Sequence, residues 1–159
     1  MAKEIERKFL VTGDGWRGAV LHAVELRDGL LSDHGGRKVR IRFYDGHATL
    51  TVKGPRMGIS RDEFEYDIPA EDAEAMLLRH CPGGTVEKVR HHVLHDGLEW
   101  FVDEYRGLLA GTVFAEIELP CEEAVFSCPS WIGREVTGLP EFRQANMLEA
   151  RRRFRSSTG

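Results

Sequence analysis

Glu4-Ile5-Glu6-Arg7-Lys8-Phe9 carries an ionisable side chain at each of its even-numbered positions. Successive side chains of a β-strand point to opposite faces of a sheet, so this stretch predicts a strand with one continuous charged face. An ordinary antiparallel strand turns apolar residues to the core and polar residues to water. That ordinary arrangement would explain this one strand. The charged face becomes a candidate functional surface when the same pattern recurs in other strands.

The same period of two recurs along the chain, in segments that turn residues separate. Asp45-Gly46 predicts a tight hairpin turn, because both residue types tolerate positive φ. Two segments, 71–80 and 145–154, predict helices. The fold is predicted to be mainly β (α+β), an antiparallel barrel or sandwich with few helices. The further predicted strands are 39–43, 48–53, 61–66, 88–90, 98–103 and 115–119.

Length, charge and cysteine content limit the functional classes. The 159 residues favour a single domain, predicted over 1–159, and the net charge of −4 makes nucleic-acid binding an unfavoured function. The longest apolar run, 75–78, is far shorter than the roughly 18 residues of a membrane span. Three cysteines outside any Cys-x-x-Cys spacing would leave an unpaired thiol in an oxidising compartment. We therefore expect a protein of the cytoplasm with no membrane association.

Two interpretations of the charged faces stay open at this point. In the first, the charged faces lie in bulk solvent, as charged runs usually do. In the second, the strands close into a barrel whose interior is charged and wet, with the apolar faces covered outside by helices and loops. The inward set would then hold seven cations and seven anions: Lys8, Arg40, Arg42, Lys53, Arg61, Lys88 and Arg90, with Glu4, Glu6, Glu63, Glu65, Asp103, Glu116 and Glu118.

The chemistry of these residue types indicates the ligand of such a barrel. Arginine and lysine suit phosphate oxygens, the first through paired hydrogen bonds and the second as a point charge. Paired carboxylates with no histidine or cysteine beside them suit a hard cation such as Mg²⁺ or Mn²⁺. The predicted ligand is a polyanion that carries a divalent metal.

The motifs, taken in order, resemble those of a known family. Glu4-Ile5-Glu6-Arg7-Lys8 is similar to the E-x-E-x-K signature of the CYTH superfamily, the triphosphate tunnel metalloenzymes, and the later charged segments follow where that family has them. The resemblance covers residues 3 to about 150. It implies an eight-stranded antiparallel β-barrel that forms a charged tunnel, with a few flanking helices. It also implies a need for Mg²⁺ or Mn²⁺.

The resemblance further implies a role for most of the inward residues. Lys8, Lys88 and Glu6 are expected to be catalytic. Glu63 and Glu65 are expected to face the tunnel without an assigned role, and Glu104, next to Asp103, is expected to point outward. The expected metal-binding carboxylates are Glu4, Glu6, Asp103, Glu116 and Glu118. The expected triphosphate-binding cations are Lys8, Arg40, Arg42, Lys53, Arg61, Lys88 and Arg90.

The expected activity is metal-dependent hydrolysis of a triphosphate, with inorganic tripolyphosphate converted to diphosphate and phosphate. Class IV adenylate cyclase, thiamine triphosphatase and nucleoside triphosphatase activities are alternatives. A barrel that binds polyphosphate or RNA without turnover is an alternative from another class. The predicted partner is a small-molecule triphosphate, and a homodimer is compatible with the sequence.

Overall fold

The computed structural model describes residues 2–158, so both ends of the predicted domain 1–159 lie outside the described residues. The chain forms nine strands and two α-helices. The helices are α1 (Ala70–Arg79) and α2 (Gln144–Thr158). The strands are β1 (Lys3–Val11), β2 (Val20–His34), β3 (Arg37–Tyr44), β4 (His47–Lys53), β5 (Ser60–Ile68), β6 (Thr85–His95), β7 (Leu98–Tyr105), β8 (Val113–Glu118) and β9 (Ile132–Glu135).

Eight of the strands close into an antiparallel barrel. The strand order is β5-β4-β3-β2-β6-β7-β8-β1, and β1 also pairs with β5. This closing contact is short, with Glu4 opposite Arg61 in the middle of it. The ninth strand, β9, pairs with the far end of β1, and the register of this pairing shifts between Phe9 and Val11. The predicted eight-stranded barrel is confirmed, with one additional strand.

The hairpins of the barrel depend on residues that accept positive φ. Asp45 and Gly46 join β3 to β4 with φ values of 47° and 79°, which confirms the predicted hairpin. Asp96 and Gly97 repeat this geometry between β6 and β7, at 50° and 76°. Positive φ at both central residues gives the turn the twist of its flanking strands.

The apolar packing lies largely outside the barrel, where helices and loops cover the strands. A cluster that includes Trp16, Trp100 and Trp131 packs on the outer side of β1, β6, β7 and β8. The helix α1 packs Ala73 and Leu77 onto β2, β3 and β4. Uncovered apolar side chains are found on β5, where Phe64 is 41% and Tyr66 59% exposed.

This architecture leaves the inside of the barrel to the charged side chains. None of the helices within residues 2–158 has the length and apolar character to cross a membrane.

Candidate active site

The charged strand faces point into the barrel, not into bulk solvent. Glu4, Glu6 and Lys8 of β1 face a tunnel, while Ile5 and Phe9 belong to the outer apolar cluster. The predicted inward residues, which all lie within the described part of the chain, line this tunnel with the exception of Asp103. The interpretation of the charged faces as a solvated surface is therefore wrong.

One part of the tunnel, which we call the cationic section, is lined mainly by basic side chains. Nine lysines and arginines face three acids there. Arg40 Nε is buried and has no hydrogen-bond partner among the described residues. A buried donor without a partner, surrounded by cations, fits an anionic ligand. The basic residues are Lys8, Lys38, Arg40, Arg42, Lys53, Arg56, Arg61, Lys88 and Arg143; the acids are Glu6, Asp28 and Glu116.

Backbone carbonyl groups hold two of these cations at the end of the barrel. Lys8 Nζ donates to the carbonyl oxygen of Phe142 at 3.0 Å and lies 4.0 Å from the centre of the Phe114 ring. Arg61 donates to the carbonyl oxygens of Gly54 and Gly36, at 3.0 and 3.2 Å. Burial lowers the pKa of Lys8, and an anion beside its ammonium group would oppose that shift.

The adjoining part, the acidic section, is lined mainly by carboxylates. Seven acids face five lysines and arginines there. The charged residues that line both sections are Glu6, Arg40, Arg42, Lys53, Lys88 and Glu116. Burial, followed by the charges of Glu116 and Glu4, raises the pKa of Glu6 to about 8. The acids are Glu4, Glu6, Glu63, Glu65, Asp67, Glu116 and Glu118, and the cations are Arg40, Arg42, Lys53, Lys88 and Arg90.

The strand register places these carboxylates close together. Glu6 on β1 is opposite Glu118 on β8, and Lys8 is opposite Glu116. Burial and the charge of Glu4 also raise the pKa of Glu118. Carboxylates that raise one another's pKa are stabilised by a cation among them.

The donor set fits a hard divalent cation. Glu4 Oε1 is buried without a hydrogen-bond partner, while Glu4 Oε2 accepts a hydrogen bond from Lys53 Nζ at 2.8 Å. Within residues 2–158, no three acidic, histidine or cysteine side chains already form a compact set of ligands. Mg²⁺ is usually bound by one or two carboxylates together with substrate phosphates. An open set of glutamates beside a cationic section suits that mode of binding.

Asp103 does not line the tunnel and is 1% exposed. Both of its oxygens accept hydrogen bonds from Arg90 at 2.9 Å, and Lys88 Nζ lies 2.8 Å from Oδ2. Burial alone would raise the pKa of Asp103, but the two cations hold it well below its usual range. Its carboxylate is thus already occupied by cations of the tunnel wall.

Five charged residues of the tunnel escaped the sequence analysis, and one of them, Asp67, continues the alternation of Glu63 and Glu65 by one step. Asp28 on β2 is 2% exposed and binds Arg42 through both oxygens, at 2.6 and 2.7 Å. Lys38 shares the face of the two inward arginines of β3, and continuing that alternation by one step would have found it. Arg56 and Arg143 lie outside the strands, where alternation gives no signal.

The remaining predicted residues lie at the edges of the site. Lys53 Nζ lies 3.2 Å from Glu63, which holds Glu63 inside the acidic section. Glu65 is exposed and accepts a hydrogen bond from Thr51 Oγ1 at 3.2 Å. Glu104 lies outside the tunnel, as predicted, and pairs with Arg17 and His91 at 2.9 and 2.7 Å.

Comparison with known proteins agrees with this geometry. A protein-family model described as the CYTH domain matches residues 2–152. An inorganic triphosphatase from Acetivibrio thermocellus is 44% identical over 149 residues, which cover 94% of this chain and 95% of that protein. A solved structure of the inorganic triphosphatase NE1496 has a TM-score of 0.63 and 33% identity, and it covers 93% of this chain and 95% of that one.

More distant structures share the fold. A putative adenylate cyclase from Bacillus halodurans has a TM-score of 0.62 at 19% identity, and it covers 77% of this chain and 84% of that one. At this identity the likeness extends to the barrel alone.

Proposed function

The chain belongs to the CYTH domain family, and from that premise we propose that it is a divalent-metal-dependent triphosphatase that hydrolyses inorganic tripolyphosphate to diphosphate and phosphate. The relatives of known activity that carry this proposal are the two inorganic triphosphatases, each aligned over almost the full length of both chains. The proposed reaction breaks one P–O–P anhydride bond and joins the oxygen of a water molecule to the released phosphorus.

The division of one tunnel into two sections is the observation that carries the proposal. A triphosphate is a linear polyanion, which fits a passage lined by nine cations, and its metal ion fits the carboxylates next to them. A protein that only bound anions would gain nothing from seven inward acids. Because Lys88 and Glu116 line both sections, the phosphate group that reacts would lie where the sections meet.

The tunnel side chains provide the charge that the reaction needs. Phosphoryl transfer passes through a loose transition state, so positioned charge supplies most of the catalysis and no covalent nucleophile is required. We assign Lys8 and Lys88 to the phosphate oxygens on which negative charge develops. The remaining clamp is Arg40, Arg42, Lys53, Arg61 and Arg90, joined by Lys38, Arg56 and Arg143.

The carboxylates hold the metal in this proposal. Glu4, Glu6, Glu116 and Glu118 would hold Mg²⁺ or Mn²⁺, which supplies positive charge to the phosphate oxygens when bound. Glu6 is essential because it belongs to both sections and its carboxylate faces Glu4 and Glu116. Glu63 and Glu65 form the outer edge of the same section.

Phosphate release from tripolyphosphate, ATP and thiamine triphosphate, each with Mg²⁺, Mn²⁺ or EDTA, tests the proposal. We expect tripolyphosphate with metal to give equal amounts of diphosphate and phosphate, and EDTA to abolish the reaction. Faster release from ATP or thiamine triphosphate would reassign the substrate, and cyclic AMP would indicate a cyclase. Calorimetric binding of tripolyphosphate without turnover would make the barrel a binding protein.

The cellular setting is also part of the proposal. The odd number of cysteines, with Cys81 buried as a thiol, supports a reducing compartment, the cytoplasm. We treat 1–159 as one domain whose partner is a small-molecule triphosphate.

A further inference from the structure

Two buried aspartates make equivalent pairs within one part of the barrel wall, which the neighbouring strands β3, β2, β6 and β7 form. Asp28 on β2 is in register with Arg42 on β3, and Asp103 on β7 is in register with Arg90 on β6. Each aspartate binds its arginine through both oxygens, with N–O distances of 2.6 and 2.7 Å in the first pair and 2.9 Å in the second. Asp103 also binds Lys88 at 2.8 Å. Three cations are therefore fixed by two acids.

The aspartates differ from the glutamates of the acidic section in what they touch. Cations occupy both oxygens of each aspartate, and these cations hold the pKa of both acids below its usual range although burial opposes the shift. The glutamates face one another, and Glu4 keeps a buried oxygen without a partner. The charge of an acid that is already paired through both oxygens is compensated within the protein, whereas the charge of a glutamate among other acids is not.

The cations that the aspartates hold are those of the middle of the tunnel. Arg42 and Lys88 line both sections, and Arg90 lines the acidic section. Lys8 and Arg61, at the end of the barrel, are held by uncharged carbonyl groups. A carboxylate that accepts two parallel hydrogen bonds fixes the plane of a guanidinium group as well as its position.

We propose that Asp28 and Asp103 are positioning residues, which fix Arg42, Lys88 and Arg90 at the junction of the two sections and bind no metal ion. The inference rests on the proposed function, because it assigns these cations to the reacting phosphate. It departs from the expectation that Asp103 is a metal ligand, and it adds Asp28.

The charge of the aspartates distinguishes a positioning role from direct phosphate binding. Replacing either aspartate with asparagine adds a net positive charge to a tunnel that binds a polyanion. The affinity for tripolyphosphate should therefore stay the same or rise, while the loss of fixed geometry lowers the rate of the chemical step. Loss of a phosphate-binding cation would instead weaken affinity.

Steady-state kinetics of Asp28→Asn and Asp103→Asn test the inference, together with calorimetric titration of Mn²⁺. We expect kcat to fall about 10- to 100-fold with KM for tripolyphosphate no higher than that of the wild type. The affinity for Mn²⁺ should be unchanged in both variants and weakened in Glu6→Gln. Glu104→Gln is the matched control, because Glu104 follows Asp103 but lies outside the tunnel, and it should alter neither quantity.

A second comparison keeps the inference testable if a single variant fails to fold. The double variant Asp28→Asn with Arg42→Gln removes both charges of the pair, and it should have the same kcat as Arg42→Gln alone. A further loss in the double variant, or weaker Mn²⁺ binding by Asp103→Asn, would overturn the inference. The Mn²⁺ titration does not require turnover, whereas a wild-type protein that releases no phosphate would contradict the proposed function instead.

Discussion

Burial shifts pKa values in opposite directions in the cationic and acidic sections of the tunnel. In the cationic section, burial lowers the pKa of Lys38 to about 8, and the nearby Arg61 and Lys53 act in the same direction. In the acidic section, burial and neighbouring carboxylates raise the pKa of Glu6 to about 8. Each section therefore drives one of its groups toward the uncharged form, Lys38 in the first and Glu6 in the second. A ligand that carries a metal at one end and phosphates along its length restores charge to both sections at once.

The comparison also shows why the sections remain distinct although they share side chains. Asp28 and Asp103 keep their charge because each meets its cations across a strand pair. The glutamates of β1 and β8 meet other acids across theirs, with Glu6 opposite Glu118. Register, more than composition, decides which carboxylates are satisfied within the protein and which require an external cation.

The largest expected effect on turnover comes from replacing Glu6, the acid of the acidic section whose pKa is raised to about 8. Glu6→Gln should lower turnover of tripolyphosphate roughly 100-fold at the Mg²⁺ concentration that half-saturates the wild type, because a metal ligand is lost. The fold should persist, since glutamine keeps the shape and removes a repelled charge. Phosphate release against Mg²⁺ concentration measures the effect, with Glu25→Gln on the outer surface as the control. If Glu6→Gln turned over tripolyphosphate at the wild-type rate at that Mg²⁺ concentration, Glu6 would not be a metal ligand.

A smaller effect is expected from a cation that both sections share. Lys88→Ala should weaken tripolyphosphate binding about 10- to 100-fold, which corresponds to roughly 1.5–3 kcal/mol for one charged hydrogen bond. Orthophosphate should lose less, because a single phosphate can bind at other cations of the tunnel. Calorimetry with both ligands measures the difference, and Arg106→Ala, an exposed cation paired with Glu25, is the control. Equal losses for the two ligands would show that Lys88 does not contact an extended chain.

The sequence predicted the parts of this tunnel that alternation can encode. The family, the eight-stranded barrel and the inward direction of the charged faces are all confirmed, because E-x-E-x-K and the later charged segments repeat the same period. The longest strand, β2, was missed. Its inward residues Leu26, Asp28 and Leu30 include one charge among three, so it lacks the repeated pattern of the other strands.

The remaining omissions have a different physical origin. Arg56 and Arg143 reach the tunnel from the segment between β4 and β5 and from the segment before α2. Loop side chains have no fixed period, so only the closed tertiary structure brings them to the site. The contacts of Asp103 could not be predicted either, because alternation indicates which face a side chain lies on but not which partners its carboxylate binds.

The last expected effect is on stability, not on activity, as a function of pH, and it tests the acidic section without any ligand. Because the pKa of Glu6 is about 8 in the folded protein and 4.5 ordinarily, the folded state binds more protons than the unfolded state between these values. The free energy of unfolding should therefore be highest below pH 4.5 on account of this group and should fall as pH rises toward 8, by at most about 1.4 kcal/mol per pH unit.

The raised pKa values of Glu4 and Glu118 act in the same direction, whereas Asp28 and Asp103 lose their protons below this window. Urea unfolding of the metal-free protein at pH 5, 6, 7 and 8 measures the slope, and Glu6→Gln should flatten it, because the variant has no ionisable group at this position. Added Mg²⁺ should raise the stability most at pH 8, where its ligands are ionised. A wild-type slope equal to that of Glu6→Gln would mean that the acidic section is not strained by its own charge, and the contrast between the two sections would then rest on the cationic one alone.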